Sequence, residues 1–384
     1  MPELSGVLGR LGGRRGDRGT VAALVAVLLA GGVLLGMGAL VVDVGRIYVE
    51  RAELQGGADA ASVAVARACV TRPDRCTDGQ MSAVADDYAA DNAKDGLANA
   101  TVCGYVPRMS GLSGPIEDCP SGQPDNLTKC FGVRPAKPTP FIEVRTTTEV
   151  EGGTALPPIF GGAVTDTDGA TVAACSRVTW GPVHTAEAEL GLAICKTQFD
   201  EATMRRGVRV FQPPPVGGDH ARGVNEITLR VSMGDRSCGG APSGFVWIKH
   251  DSSGDTCPHP LKVDTDEGAA AHGRDITGGC ARALEEIVRN PRPVAVAIYS
   301  SGHSGNVTTE GIAMFVPTGW RYHEDFWEKG PDPRNRRSDL SRRRLCARDP
   351  ATMCLYGYFT TKIFSADTVP TDDHYGAVVV KTIG

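Results

Sequence analysis

Apolar residues are distributed unevenly along this chain. Thr20–Val42 holds 23 residues and no charge. Wound as an α-helix, such a run is about 34 Å long, against a hydrocarbon core of roughly 30 Å. The pattern predicts a transmembrane helix, and Asp43 ends it. Val44, Ile47, Leu54, Ala58, Ala61 and Val65 then recur at helical spacing, interrupted by Arg51. This predicts that the span continues as a stalk helix with one narrow apolar face. That face would pack on the chain's own globular part or on a partner helix. Gly56-Gly57 predicts a bend, because each Gly weakens a helix by about 1 kcal/mol. Beyond the Pro73 turn, Gln80–Leu97 reads as a second helical piece.

Further on the period shifts from helical to alternating. Asn99 to about Lys137 is rich in Pro, Gly, Ser and Cys and predicts an irregular, disulfide-tied segment. Strands are predicted at Phe141–Glu149, Ala170–Trp180, Glu226–Ser232, Phe245–His250, Val294–Ser300, Gly311–Pro317, Tyr356–Ile363 and Ala377–Ile383. Gly279–Asn290 is the clearest distal helix. The fold class is therefore α+β: one N-terminal transmembrane helix running into a stalk helix, then a disulfide-rich, mostly β region. Residues 1–19 form a tail, 20–42 the span, 43–180 the stalk helix and an α+β region, and 181–384 a β-rich domain beginning at Gly181-Pro182.

Charge orients this scheme. Arg10, Arg14, Arg15 and Arg18 precede the span, whereas Arg46 and Arg51 beyond it are diluted by Asp43, Glu50 and Glu53. By the positive-inside rule the tail is cytoplasmic and the C-terminal region extracytoplasmic, in a single-pass protein of the cytoplasmic membrane. The apolar run is longer than that of a signal peptide, and Val-Val-Asp-Val, not a small-residue cleavage site, ends it. The anchor is therefore expected to be retained. Gly32 and Gly36 form a small-xxx-small pair, a spacing that lets a neighbouring helix approach. Net charge is −5, and the residues after Val42 include 36 basic and 43 acidic side chains. Nothing in that balance argues for nucleic-acid binding, which requires a basic face, and no nucleic-acid partner is expected.

All 12 cysteines follow the apolar run, and none forms a CxxC pair. Disulfides in an oxidising compartment are the economical reading. Spacing leaves connectivity open; the simplest pairs join near neighbours, Cys69 with Cys76, Cys257 with Cys280, and Cys346 with Cys354. Pro331–Arg344 carries six Arg. Such a run reads as a solvated loop or as a contact for lipid headgroups or an anionic cell-wall polymer.

No constellation carries catalysis. Gly234–Ser237 and His272 place Ser before His with Arg236 intervening, and Gly302–Asn306 lacks the last Gly of a nucleophile elbow. Thr165–Gly169 and Asp264–Glu267 offer oxygen ligands for calcium but lack EF-hand spacing. No HxxxH or HExxH occurs. The reading is a non-enzymatic protein with no catalytic, cofactor or metal site.

Arg18-Gly19, the apolar span and the exit VDVGRIYVERAELQGGADAAS at Val42–Ser62 resemble the N-terminal module of TadE/TadG-like proteins. These belong to the tight adherence (Tad) locus and help build Flp-type pili. Asp43, Gly45, Tyr48, Arg51, Leu54, Gln55, Asp59, Ala60 and Ala61 carry the resemblance. The strand at 141–149, Pro-Ile-Phe-Gly at 158–161 and Val178–Gly181 are similar to the pilin-like β-part of the same family. LGLAICKTQF at 190–199, the Cys257–Cys280 block and CLYGYFTTK at 354–362 resemble a family extension. Processed pilin-like members carry Glu five residues after the cleaved Gly. Leu24 stands there in this chain, so the resemblance does not bring prepilin cleavage with it. Asp251–Asp255 lacks the last Ser of a von Willebrand A metal motif, and that domain is not assigned. The resemblance implies a membrane-anchored component of Flp/Tad pilus assembly or surface display, with other Tad/Flp assembly membrane proteins as partners. A membrane-anchored adhesin or cell-wall-binding envelope protein is the alternative.

Overall fold

In a computed structural model of the chain, residues 16–30, 32–107, 116–120, 130, 133–159, 169–205, 207–217, 223–230, 238–248, 257, 259–268, 278–303, 306–321, 354–364 and 374–383 are described. The Arg-rich run at 334–344, Cys346, residues 165–168, Asp251–Asp255, Gly234–Ser237 and His272 lie outside them.

The apolar run is not one helix. Helix α1 (Gly16–Ala30) ends before Gly32, which takes a left-handed φ of 70°, and α2 (Val33–Thr71) begins after it. Gly tolerates this conformation because it has no Cβ to clash. The expectation of a single uninterrupted span is thus corrected. Among the described residues no helix is long and apolar enough to cross a membrane. The second half of the run does continue into the stalk, since α2 is 39 residues long.

A short 3₁₀ turn (Pro73–Arg75) leads from α2 into α3 (Asp78–Asn92), which packs back along it. The strands β1 (Ala98–Tyr105), β2 (Phe141–Thr148) and β3 (Ala173–Pro182) follow. They form a sheet completed by two strands from the far end of the chain, β15 (Lys362–Phe364) and β16 (Ala377–Thr382), in the order β1-β2-β3-β16-β15. The first sheet is therefore not confined to residues before Gly181. β1 lies where irregular chain is expected. Its small residues pair in register with β2, and two of its outward amides are taken: Ala100 N donates to Asp86 Oδ1 at 3.1 Å and Gly104 N to the Glu117 carbonyl at 2.9 Å. An edge whose amides are occupied resists pairing with another chain.

Strand alternation decides what each face of this sheet carries. Ile142, Val144, Ala174, Val178 and Trp180 meet Leu54, Ala61 and Val65 of α2 and Met81, Ala85 and Ala89 of α3. The helix does not break at Gly56-Gly57: α2 runs through both glycines. A Cβ on Gly57 would stand 3.2 Å from Ala89 Cα and 3.3 Å from its carbonyl oxygen. Gly57 thus permits close contact of α2 with α3, and packing outweighs the propensity cost.

The second sheet uses β5 (Leu192–Cys195), β8 (Ile227–Arg230), β9 (Phe245–Trp247), β12 (Val294–His303), β13 (Asn306–Arg321) and β14 (Cys354–Thr360), in the order β8-β14-β13-β12-β5-β9. β11 (Asp266–Gly268) joins at β13, while β4 (Thr185–Ala188) pairs with β10 (His259–Lys262) and β6 (Met204–Arg205) with β7 (Val208–Arg209). Val294, Val296 and Ile298 point to a core with Phe199 of α4 (Lys196–Thr203) and Leu284 and Ile287 of α5 (Gly278–Arg289). Ala295, Ala297 and Tyr299 point the other way and pack with Ala377 and Val379 of β16. β16 therefore belongs to one sheet by hydrogen bonding and to the core beneath the other by packing.

Cys69–Cys76, Cys103–Cys119, Cys130–Cys175, Cys195–Cys238 and Cys257–Cys280 are disulfides. Cys354 is also disulfide-bonded, and no described cysteine is free.

Candidate interaction site

The lower half of α2 is built in two faces. Asp43 and Arg46 and, eight residues on, Leu54, Ala58, Ala61 and Val65 fall on one side of the helix and turn toward the rest of the chain. Asp43 Oδ1 accepts the Ile159 amide at 2.9 Å, and Arg46 NH1 donates to the Pro157 carbonyl at 3.1 Å. The loop before residue 160 is thus hung from the start of the stalk. About two turns further along, Leu54 is buried, and its carbonyl accepts the Thr146 hydroxyl at 2.9 Å. Gln55 Nε2 donates to Asp59 Oδ1 and to the Cys175 carbonyl, both at 3.1 Å. Ser62 and Ser176 hydroxyls meet at 3.1 Å in the buried contact between helix and sheet.

Val44, Gly45, Tyr48, Arg51 and Asp59 stay exposed, with Tyr48 at 67%. No heavy atom lies within 4 Å of a Cβ built on Gly36, Gly38 or Gly45. Packing within this chain therefore does not explain those glycines. The nine motif residues divide accordingly. Asp43, Leu54, Gln55 and Ala61 dock the helix, with Ala60 half-buried beside them, while Gly45, Tyr48, Arg51 and Asp59 remain available. Of the exposed large apolar residues described, Val21, Leu24, Val25, Val27, Leu29, Met37, Leu40, Val41 and Val42 all fall in the run 20–42. Apolar exposure on that scale marks a surface made for another apolar phase or partner.

Two polar clusters lie away from this face. On the side of the first sheet opposite the helices, Glu143 accepts hydrogen bonds from Arg134, Arg145 and Arg177 at 2.7–3.1 Å. Its side chain is wholly buried. Burial pushes its carboxyl up, but the three guanidiniums outweigh this and hold it down at about 2. Both Cys103–Cys119 and Cys130–Cys175 approach Glu143 closely enough for a metal-ligand geometry. As disulfides, however, they present no thiolate to a metal. Glu143 and Arg145 stand two apart on one strand, the one sequence signal for this cluster; Arg134 and Arg177 carried none.

The second cluster lines a cavity of about 480 Å³ where the sheets meet, among Pro182, His184, Lys196, Arg209, Glu310 and Tyr375. Lys196 pairs with Glu310, whose Oε1 also accepts the Tyr375 hydroxyl at 2.7 Å. Burial raises the Glu310 carboxyl, yet bonds from Lys196, Ser300 and Tyr375 hold it below its ordinary value. Burial and then the Glu310 carboxylate push the Tyr375 phenol up. Asp264, read as a calcium candidate, sits on the cavity wall at a φ of 60°, and Asp266 accepts the Thr308 hydroxyl at 2.6 Å. These carboxylates lie on a turn and a strand and do not converge as a cation cage among the described residues.

The stalk is the part with recognised relatives. Residues 19–68 match the Tad family model, "Putative Flp pilus-assembly TadE/G-like". The match starts in α1, passes the left-handed Gly32 and ends in the last turn of α2. No curated protein and no solved structure matches the chain. The Tad segment thus coincides with the apolar run and the two-faced stalk, and both polar clusters lie outside it.

Proposed function

We propose that this protein is a membrane-anchored, non-enzymatic component of Flp/Tad-type pilus assembly or surface display. The observation that carries the reading is the Tad match on residues 19–68. Its exposed apolar side chains on both sides of Gly32 suit seating in a bilayer, where glycine breaks are tolerated. The arginines at 10, 14, 15 and 18 favour a cytoplasmic N-terminus, and the disulfides suit an oxidising space outside. Other Tad/Flp assembly membrane proteins are the expected partners. The exposed motif residue Arg51 is their natural contact, because Leu54 and Ala58 are spent on the chain's own core.

The test is genetic. In a strain that makes Flp pili, deleting the gene should reduce pilus number. Arg51→Glu should do the same while leaving the thermal unfolding of the purified protein unchanged. Normal pilus number in the deletion strain, with loss of wall binding instead, would replace this reading with the cell-wall-binding one.

A further inference from the structure

The geometry points to a second membrane contact: the loop Leu156–Ile159, hung from the stalk, lies with Val44, Tyr48 and Val49 in the headgroup layer of a phospholipid surface. The inference rests on the anchored reading of residues 20–42. Asp43 is the first charged residue after the apolar run, and it holds the Ile159 amide; Arg46 holds the Pro157 carbonyl. Three residues of helix rise about 4.5 Å. The loop is therefore fixed within one helical turn of the point where the apolar run ends. It cannot drift upward, because α2 continues unbroken from that point into the buried contacts at Leu54, Ala58 and Ala61.

The side chains at this level match an interface. Ile159 is 54% exposed on the loop side of the helix, and Val44, Tyr48 and Val49 are exposed on its other sides, within about 9 Å of Asp43 along the axis. Tyrosine concentrates at headgroup level, where its ring meets hydrocarbon and its hydroxyl meets water. Asp43 and Arg46 spend part of their hydrogen-bonding capacity on the loop backbone, which lowers the cost of placing them at a boundary of falling dielectric. The loop and helix together make a two-point footing, which sets the tilt of the ectodomain as well as its height.

Photo-crosslinking tests this in the full chain, reconstituted in vesicles of equal parts phosphatidylethanolamine and phosphatidylglycerol. Benzoylphenylalanine is placed separately at Leu24, Tyr48, Ile159 and Arg75. Arg75 lies beyond the far end of α2, about 45 Å along it from Asp43. Lipid adducts should form at Leu24, Tyr48 and Ile159 and not at Arg75. Adducts at Leu24 without any at Tyr48 or Ile159 would overturn the footing and leave the anchor intact. Absence at Leu24 would overturn the anchor and the footing with it. Equal labelling at Arg75 would also overturn it, by showing that the ectodomain lies flat.

Discussion

At the scale of single residues, Glu143 concentrates the electrostatic stability of the first sheet. One buried carboxylate serves three guanidiniums. Its folded value of about 2 lies below the ordinary carboxylate value of 4.5. A depressed carboxylate stabilises the fold above its unfolded value and loses that contribution as pH falls through the folded one. The contribution is on the order of 3 kcal/mol at neutral pH. Urea midpoints of the wild type should therefore fall between about pH 4.5 and pH 2. Glu143→Gln leaves the buried Arg145 and Arg177, and the partly buried Arg134, without their counter-charge. It should cost about 3–5 kcal/mol at pH 7 and flatten the acid limb in that window.

At the scale of elements, neighbouring glycines in α2 play different parts. Gly57 touches Ala89 of α3, whereas a Cβ on Gly56 would meet only Asn92 Oδ1 at 3.8 Å. Gly56→Ala should raise stability by up to about 1 kcal/mol through helix propensity. Gly57→Val should lower it by about 1–3 kcal/mol by prising the helices apart. Thermal unfolding of the two variants reads the contrast directly; equal effects would mean that the tight contact is not what requires Gly57. Gly32 is a third case, since its left-handed backbone divides the apolar run, and an L-residue there costs about 1–2 kcal/mol.

At the scale of the whole molecule, the last strand binds together parts far apart in sequence. β16 hydrogen-bonds to β3 and packs Ala377 and Val379 among residues of the second sheet. Ending the chain before Ala377 should therefore destabilise the stalk contact as well as the C-terminal region. Limited proteolysis should then release fragments cut within Ala98–Thr148, a stretch remote in sequence from the deletion. If cleavage stayed confined to residues beyond Gly181, the two sheets would be energetically independent.

Much was legible in linear order. The apolar run, the helical spacing of Leu54, Ala58, Ala61 and Val65, the distal helix and the β-branched strands follow from local periodicity, which covalent geometry imposes on neighbours. The Tad motif was readable for the same reason, because its residues lie on one continuous helix. Tertiary structure alone decided what covers the apolar face of that helix. It also decided that Gly57 packs against α3 in a helix that runs through both glycines, that 98–105 becomes an edge strand, and that Asp43 and Arg46 carry the 157–159 loop. Each depends on partners 30 to 120 residues away. The same holds for Glu143 with Arg177 and for Lys196 with Glu310 and Tyr375. A hydrophobic period records that a face will be buried, but the identity of what buries it is settled only when distant segments compete for that face in three dimensions.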